Sequence, residues 1–452
     1  MNNFLSKIKV LSLFIADLAL LYLSLGLALF LRYQNFNHEL WNQHWPIFTG
    51  LFIIWVIVFY AFNLYDSAFG QDKTEILLNY TRAVIANVII AILYFYLLSP
   101  KTNIAPKTIL IILTGVFSIV FFIFRKIIDP LMESAKLSQN LLFIGYEPLI
   151  EELLPTAGKP NRFGYNFKGI VNDKKTDNLK LQYYPFNELE NILKKEKIDL
   201  IVVNEPNNKE VIAYLFQTLP MRVNFISLTN FYEQTLNRIP LAIITHGWFL
   251  DNLAEGNKKA FESAKRLFDI IISVIFGLIS LLFLPFIIIA IAINSRGPIL
   301  FKQIRTGKDS KPFLALKFRS MYRNAESNGP MWATENDPRV TGVGKFLRTT
   351  RLDEIPQLFN IIKGEMSFVG PRPERPEFIE TLIKEIPFYK ERLLVKPGLT
   401  GWAQIKMPYA DSVESSLKKL QYDLYYIKHR SFFFDLSVIL KTINTVLKKI
   451  GR

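Results

Sequence analysis

Four long apolar segments in the first third of the chain, at residues 8–31, 47–62, 83–98 and 108–124, restrict what it can fold into. Each is near the roughly 20 residues with which an α-helix crosses the hydrocarbon core of a bilayer. The first segment lacks a small-residue cleavage pattern and precedes three similar segments, so it predicts a membrane helix and not a signal peptide. The sequence therefore predicts a four-helix transmembrane anchor over residues 1–128.

Basic residues flank the anchor at its two ends. Lys7 and Lys9 precede the first segment, and Arg125 and Lys126 follow the fourth. Because cytoplasmic loops of membrane proteins carry an excess of Lys and Arg, we expect both ends of the anchor in the cytoplasm. We expect no charge pair or acidic relay inside the four helices, which argues against a transporter.

After residue 137 the pattern changes to short apolar strands that alternate with helices. The stretches LLFIGYE, IDLIVVN and VNFISL indicate buried strands, so we predict a small doubly wound α/β domain over residues 137–255. A dinucleotide site would need G-x-G-x-x-G at the first turn. That turn has only Gly145, followed by Glu147, which repels phosphate, and Pro148, which lacks an amide donor. We therefore predict a degenerate Rossmann-like domain with a structural or dimerising role.

A fifth apolar segment covers residues 267–293 and contains Pro285. Basic residues stand on both sides, among them Arg266 and Arg296, which favours a segment that enters and leaves the same leaflet. Since proline bends a helix, we predict a re-entrant helix that breaks near Pro285. A plain span remains an alternative, and it would put everything after Arg296 outside the cell. Asp269, near the mouth of the segment, is expected to pair with Arg266.

The last part of the chain is strongly basic. From residue 258 onward, 32 Lys or Arg stand against 18 Asp or Glu, a net +14 of the total +15. Such an excess attracts nucleic acid, anionic lipid head groups or phosphorylated substrates. With no cysteine and only four dispersed histidines, a thiol nucleophile is excluded and a histidine-based zinc centre is not expected.

Two adjacent carboxylates, Asp353 and Glu354, stand in this basic region within LRTTRLDEIPQLFN. We predict Asp353 at or near the N-cap of a helix, where free amides and the helix dipole would keep it ionised and favour a phosphate. Adjacent helical residues point about 100° apart, so one acid would attack phosphorus while the other holds a divalent ion. Mg²⁺ on a carboxylate suits a site without His or Cys. A helix cap alone explains the pair equally well.

Cations accompany the two carboxylates along the sequence. Lys317 and Arg319 alternate with apolar residues and should share one face of a strand, although a solvated face is the alternative. Arg348 precedes the carboxylates, and the turn Pro371-Arg372-Pro373 fixes the backbone around one arginine, for a phosphate, a nucleobase or simply a tight turn. The aromatic and basic C-terminal stretch suits a helix on the membrane surface, or core packing.

Together, these blocks resemble the bacterial sugar transferase family of monotopic phosphoglycosyl transferases. The resemblance covers residues 265–452 and follows the order KRLFD, GPILFKQIRTG, LKFRSM, DPRVT, FLRTTRLDEIPQLFNIIKGEMSFVGPRPE, KPGLTGWAQ and YDLYYIKH. It implies an α+β catalytic domain over residues 258–452 with a re-entrant membrane helix. The four-helix anchor and the α/β domain are similar to those of larger members that initiate exopolysaccharide, capsule or O-antigen synthesis.

The resemblance implies a role for individual residues. Asp353 corresponds to the nucleophile, Glu354 to the Mg²⁺ ligand and Arg348 to an active-site cation, while Pro285 corresponds to the break of the re-entrant helix. The turn at Arg372 would contact the uridine side. The expected substrate-binding residues are Lys317, Arg319, Pro371, Arg372, Pro373, Gln404 and Asp423.

The expected activity moves a hexose-1-phosphate from a UDP-sugar to undecaprenyl phosphate, at the cytoplasmic face of the bacterial inner membrane. Asp353 would attack the β-phosphorus, UMP would leave, and the lipid phosphate would attack the phosphosugar–aspartyl intermediate. Membrane lipid is a further expected partner, a homodimer is left open, and nucleic acid is not expected because no stacking module is present. The alternatives are a non-catalytic membrane regulator or assembly factor and a glycosyl transferase that releases UDP.

Three positions depart from the family pattern. Leu284 stands where a serine often precedes the proline of the break, and Gly342 stands where an arginine is usual. Lys406-Met407-Pro408 replaces a frequent N-G-R. Because the last two departures bear on sugar specificity, the identity of the hexose is left open.

Overall fold

The computed structural model of the chain forms two compact units, Met1–Thr235 and Leu236–Arg452. The predicted boundary at residue 255 lies later than this, because Ile239 and Leu253 are part of the core of the second unit. Arg238 also donates to Gln421 at 3.1 Å. The structure describes residues 2–35, 37–65, 73–102, 107–133, 139–154, 165–172, 181–204, 212–213, 215–216, 220, 223–253, 258–323, 325, 337–407 and 412–447.

The first unit begins with the four predicted long helices. They are α1 (Asn2–Tyr33), α2 (His38–Ala61), α3 (Lys73–Thr102) and α4 (Lys107–Glu133). Each contains a span of 22 to 24 residues with a mean hydropathy between 1.7 and 2.4, long and apolar enough to cross a membrane. Helix α1 packs against α2 and α4, around large buried side chains such as Phe48, Trp55 and Phe117. This arrangement is typical of a transmembrane bundle.

An ion pair inside this bundle contradicts the expectation that the four helices hold none. Asp17 of α1 lies 3.0 Å from Arg125 of α4, and the two side chains are 0% and 10% exposed. The sequence pattern missed the pair because its members are 108 residues apart, and Arg125 looks like the basic flank of a membrane segment. Removing one partner of such a pair would leave the other buried and uncompensated, so the pair ties α1 to α4.

A five-stranded parallel sheet follows in the first unit. Its strands are β1 (Gln139–Ile144), β2 (Tyr165–Val171), β3 (Tyr183–Tyr184), β4 (Leu200–Val203) and β5 (Asn224–Ser227), in the order β3-β2-β1-β4-β5. Helices α5 (Leu149–Leu153), α6 (Leu189–Lys195) and α7 (Leu228–Leu236) accompany them. At the end of β1, Gly145 has a φ of 81°, and Asn204 donates to the Tyr146 carbonyl at 3.3 Å. The predicted parallel α/β domain is therefore present, and an asparagine side chain braces its first turn.

The second unit begins with α8 (His246–Asn252) and a bent pair of helices, α9 (Lys259–Leu281) and α10 (Leu284–Asn294). The pair bends by 63°. Pro285 lies in the first turn of α10, where its missing amide hydrogen costs no helix hydrogen bond. The bend is therefore near Pro285, as expected, but it falls between the two helices and does not result from a proline inside one helix.

The expected pair of Asp269 with Arg266 is wrong. Asp269 accepts a hydrogen bond from the backbone amide of Phe368 at 3.0 Å. Arg266 donates to the carbonyls of Ile361 and Ile362 at 2.5 and 2.6 Å. These carbonyls lie in the last turn of the helix Gln357–Lys363, where the negative end of the helix dipole attracts a cation.

The remaining elements of the second unit pack into two hydrophobic clusters, of which the smaller joins Phe318 and Leu347 to Ile287 and Ile291 of α10. These elements are the antiparallel hairpin β6 (Leu300–Thr306) and β7 (Pro312–Phe318), α11 (Gly342–Thr350), α12 (Gln357–Lys363), β8 (Ser367–Val369), α13 (Pro376–Glu385), β9 (Gly398–Thr400), α14 (Trp402–Lys406), α15 (Val413–His429) and α16 (Phe432–Leu447). Strand β8 pairs in parallel with β9. Leu424 of α15 and Val438 of α16 are buried in the core, whereas Phe433 is 82% exposed. The C-terminal stretch therefore packs on the core along one face and presents apolar side chains on another.

Candidate active site

Asp353 and Glu354 lie in a short 3-10 turn, Leu352–Glu354, between α11 and α12. The predicted capping position of Asp353 is wrong, because α12 begins at Gln357 and Pro356 occupies its N-cap. Arg351 precedes the turn in the left-handed conformation, with a φ of 59°. This conformation reverses the chain after α11 and carries both carboxylates inward, where they are only 6% and 5% exposed.

Glu354 is surrounded by cations. Its Oε1 accepts hydrogen bonds from Lys317 at 2.8 Å and from Arg372 at 2.7 Å. Arg351 lies 3.6 Å from Oε2. Burial alone would raise the pKa of Glu354, but the charges of Arg372, Lys317 and Arg351 hold this pKa well below its usual range. Glu354 therefore remains a carboxylate and gathers three cations around itself.

Asp353 differs sharply from its neighbour. Burial raises the pKa of its carboxyl group, and the charge of Lys317 opposes the shift. Its Oδ1 is buried and has no hydrogen-bond partner among the described residues. The expected capping bond is not formed, since no amide of α12 donates to this Oδ1 among the described residues. A desolvated carboxylate oxygen that accepts no hydrogen bond keeps its lone pairs available for attack on an electrophile.

The two carboxylates line a cavity of ≈ 580 Å³. This volume lies within the range of about 300–1,000 Å³ that is typical of small-molecule sites. Among the described residues that line it, three are acidic and ten are basic: Arg305, Lys317, Arg319, Arg323, Arg339, Lys345, Arg348, Arg351, Arg372 and Arg375. A concave site with this excess of positive charge suits a polyanionic ligand such as a nucleoside diphosphate.

Asn360 sets the position of Lys317. Its side chain accepts a hydrogen bond from the amide of Leu316 at 3.1 Å and donates to the carbonyl of Leu314 at 2.8 Å. These two bonds tie α12 to β7, so the next residue of the strand, Lys317, lies opposite Glu354. The sequence pattern did not single out Asn360. The signal that it offered is one amide side chain in the otherwise apolar stretch LFNII.

Arg348 is positioned through Ser320. Its Nε donates to the Ser320 hydroxyl at 2.8 Å. Thr341 caps α11 by accepting from the amide of Gly344 at 2.9 Å, and its own amide donates to the Ser320 carbonyl at 3.0 Å. Helix α11 approaches Ser320 so closely that a Cβ on Gly344 would overlap its backbone carbonyl group. This close packing directs Arg348 to the wall of the cavity.

The structure brings six of the predicted residues together around the cavity: Lys317, Arg348, Asp353, Glu354, Arg372 and Pro373. Arg319 also lines it, but its guanidinium group donates to the carbonyls of Pro298 and Ser295 at 2.6 and 2.5 Å. Its observed contacts therefore hold the segment after α10.

The other predicted residues do not line the described part of the cavity. Pro371 accepts a hydrogen bond from the amide of Gly398, and Pro285 lies in α10. The Oε1 atom of Gln404 is buried without a partner in the described part of the chain. Asp423 is buried against Arg392, at 2.8 Å. The sequence pattern gave no reason to select Arg392.

The donor set of the cavity is compatible with a divalent ion that arrives with a phosphorylated substrate. No group of three or more candidate ligands (His, Cys, Asp or Glu) occurs among the described residues. Asp353 offers one unpartnered oxygen, and the Oε2 of Glu354 has a contact with Arg351 at 3.6 Å, longer than a hydrogen bond. Mg²⁺ commonly takes one or two carboxylates and completes its shell with substrate phosphates and water.

Comparison with known proteins identifies similar sequences. A profile of the family described as "Bacterial sugar transferase" matches residues 260–449. A UDP-glucose:undecaprenyl-phosphate glucose-1-phosphate transferase of Klebsiella pneumoniae is 36% identical over 323 residues, which cover 68% of this chain and 67% of that protein.

Two further relatives match over shorter segments. A UDP-N-acetylgalactosamine-undecaprenyl-phosphate N-acetylgalactosaminephosphotransferase of Aeromonas hydrophila is 45% identical over 163 residues, 36% of this chain and 38% of that protein. A UDP-glucose:undecaprenyl-phosphate glucose-1-phosphate transferase of Escherichia coli strain K12 is 42% identical over 181 residues, 40% of this chain and 39% of that protein. In both cases the match spans less than two thirds of the relative.

The contact between α11 and Ser320 predicts that alanine destabilises the protein at one glycine of this helix and not at another. Gly344→Ala should lower the free energy of unfolding by about 1–3 kcal/mol, because a methyl group would displace α11 from Ser320. Gly342→Ala is the matched control, since nothing lies within 4 Å of its added Cβ. Thermal unfolding of the two variants in detergent measures the difference. Equal stabilities would contradict the close approach that positions Arg348.

Proposed function

Since the chain belongs to the bacterial sugar transferase family, we propose that it transfers a hexose-1-phosphate from a UDP-sugar to undecaprenyl phosphate and releases UMP. The observation that carries this proposal is the buried Oδ1 of Asp353, which lacks a hydrogen-bond partner in the described part of the chain and belongs to a cation-lined cavity. The names of the relatives support a sugar-phosphate transfer. Those names give both glucose and N-acetylgalactosamine, so the hexose is left open.

The reaction proceeds through two displacements at one phosphorus atom. Asp353 attacks the β-phosphorus of the UDP-sugar, an aspartyl–phosphate bond forms, and the bond to the bridging oxygen breaks so that UMP leaves. A phosphate oxygen of undecaprenyl phosphate then attacks the same phosphorus, and the carboxylate of Asp353 leaves. Lys317, Arg348 and Arg372 offset the negative charge that develops on the phosphoryl oxygens in both steps.

Glu354 has two roles in this proposal. Its Oε1 holds Lys317 and Arg372 in place, and its carboxylate would contribute a ligand to Mg²⁺. When bound, the ion would neutralise charge on the diphosphate and help to orient the β-phosphorus. The donor set supports this assignment, since only oxygen ligands are offered and substrate phosphates would complete the shell.

The bent pair α9–α10 enters and leaves the cytoplasmic leaflet of the bacterial inner membrane as a re-entrant helix. Its 63° bend supports this topology. So do apolar side chains that remain exposed, such as Phe286 at 72% and Ile293 at 81%. Arg266 and Arg296 stand at its two ends, where basic residues favour the cytoplasmic side. The catalytic cavity then faces the cytoplasm, where nucleotide sugars are present.

Asp353→Asn should abolish UMP release, with a loss of about 10³-fold or more, because the variant lacks the nucleophile. The protein is incubated in detergent with Mg²⁺, undecaprenyl phosphate and a panel of UDP-sugars, and UMP and UDP are quantified. The control is Asp309→Asn, the same change at an exposed acid that does not line the cavity. Without the lipid, the parent should release one equivalent of UMP and gain the mass of a hexose phosphate.

Three outcomes would contradict this proposal. Normal turnover by Asp353→Asn would remove the residue from its role as nucleophile. Release of UDP would identify a glycosyl transferase that moves the sugar without its phosphate. Failure of the parent to release any nucleotide with every UDP-sugar would favour a regulator or an assembly factor.

Glu354→Gln should weaken the response of UMP release to Mg²⁺, because an amide oxygen is a poorer ligand for a hard cation than a carboxylate. We expect the Mg²⁺ concentration for half-maximal rate to rise by about 10-fold or more. Titration of Mg²⁺ into parent, variant and the control Glu385→Gln, an exposed glutamate of α13, measures the effect. An unchanged requirement in the variant would place the ligand elsewhere.

The proposed topology can be measured by chemical labelling, because the chain contains no cysteine. Ala264→Cys and Arg296→Cys, one at each end of the bent pair, should both react with a membrane-impermeant maleimide in inverted membrane vesicles but not in spheroplasts. Gln34→Cys, in the loop after α1, should behave in the opposite way. A plain span would instead divide the two reactive positions between the two preparations.

A further inference from the structure

Arg392 and Asp423 form a buried ion pair outside the set of described residues that line the cavity. Their side chains are each 2% exposed. The Nη2 and Nε atoms of Arg392 donate to one carboxylate oxygen of Asp423, at 2.8 and 3.1 Å. The Nη1 atom donates to the hydroxyl of Tyr389 at 3.0 Å. Asp423 and Tyr389, neither of which lines the described cavity, therefore fix the guanidinium plane of Arg392.

The same Nη2 atom reaches the wall of the cavity. It donates to the backbone carbonyl of Arg372 at 2.9 Å. The side chain of Arg372 extends from this point and donates to Glu354 at 2.7 Å. Asp423 and Arg392 are thus linked by hydrogen bonds to the backbone of Arg372, whose side chain in turn bonds Glu354.

The composition of the turn explains why it depends on such an external donor. Pro371 and Pro373 have no amide hydrogen, so the turn can be held only weakly by donors of its own. Its successive carbonyls instead accept hydrogen bonds from outside. Gly398 donates to Pro371 at 2.9 Å, Arg392 to Arg372 at 2.9 Å, and Arg305 to Pro373 at 3.1 Å.

We propose that Arg392, held by Asp423 and Tyr389, is a positioning residue that fixes the Pro371–Pro373 turn and thereby aims Arg372 at Glu354. The effect that we predict for catalysis rests on the proposed function. The inference also gives Asp423 a physical role, since the acid neutralises and orients the buried guanidinium group and does not line the described part of the cavity. A buried charge without its partner would be strongly destabilised, which makes the pair act as one unit.

A double-mutant cycle tests the inference. If the pair of Arg392 and Asp423 positions Arg372, the effect of breaking the pair depends on the presence of the Arg372 side chain. If the pair is purely structural, the effect does not depend on it. Arg392→Lys keeps the charge but loses the planar fork that reaches both Asp423 and the carbonyl of Arg372. We expect it to lower the kcat of UMP release by about 10- to 100-fold in the parent. In the Arg372→Ala background the same change should cost less than about 2-fold, because the side chain that it positions is already absent.

Lys265→Met is the matched control. It breaks another buried ion pair of the same unit, that of Lys265 with Asp435, and neither residue lines the described cavity. Lys265→Met should lower the kcat of UMP release by the same factor in the parent and in Arg372→Ala. An equal loss for Arg392→Lys in the parent and in Arg372→Ala would overturn the inference and leave Arg392 with a structural role only.

Two further measurements keep the inference testable if Arg392→Lys unfolds or if the parent releases no UMP. Tyr389→Phe removes only one hydroxyl from the network. It should lower the kcat of UMP release by a smaller factor than Arg392→Lys, and this loss should likewise disappear in Arg372→Ala. A structure of the Tyr389→Phe or Arg392→Lys variant is independent of activity. The guanidinium of Arg372 should move beyond hydrogen-bond distance of Glu354, and a bond kept at 2.7 Å would refute the positioning role. If the parent protein releases no UMP, the result contradicts the proposed function and not the positioning role of Arg392.

Discussion

The burial of one carboxylate, Glu354, determines how the rest of the catalytic unit is arranged. An ionised side chain removed from water is unstable unless opposite charges and hydrogen bonds replace the solvent. The opposite charges come from Lys317, Arg351 and Arg372, and a different structural feature places each of them beside Glu354. Asn360 fixes the strand of Lys317, a left-handed residue reverses the chain at Arg351, and a turn of two prolines presents Arg372.

Because Glu354 uses these cations, its neighbour Asp353 is left in a different environment. Burial raises the pKa of Asp353, whereas the surrounding charges lower that of Glu354. Two adjacent carboxylates with opposite pKa shifts are suited to different tasks, and this divergence is a recurrent feature of active sites. The different contacts of the two side chains support the division of labour that we propose for them.

Much of the fold follows from local sequence patterns, but the partners of buried charges do not. Hydropathy was sufficient for the four long helices, and short apolar runs predicted the parallel sheet. The partners of Asp17, Asp269 and Arg319 were missed, since each lies far away in sequence or is a backbone carbonyl that no residue type reveals. Asp353 was misplaced for a local reason, because residues 352–354 form a separate 3-10 turn and the helix that Asp353 was expected to cap begins only at Gln357, with Pro356 at its N-cap.

The ion pair between α1 and α4 has a consequence for biosynthesis. Asp17 lies near the middle of the first helix, and its partner is 108 residues further along the chain. Asp17 is the seventh residue of the 23-residue apolar span Leu11–Tyr33. An acid adds about 2.5–3.5 kcal/mol to the free energy of insertion at the centre of a membrane helix, and less towards its ends. When only α1 has been synthesised, Asp17 therefore lacks its partner Arg125. The helix then either enters the bilayer with an unpaired acid or remains in contact with the insertion machinery. Final assembly of the anchor awaits the emergence of Arg125.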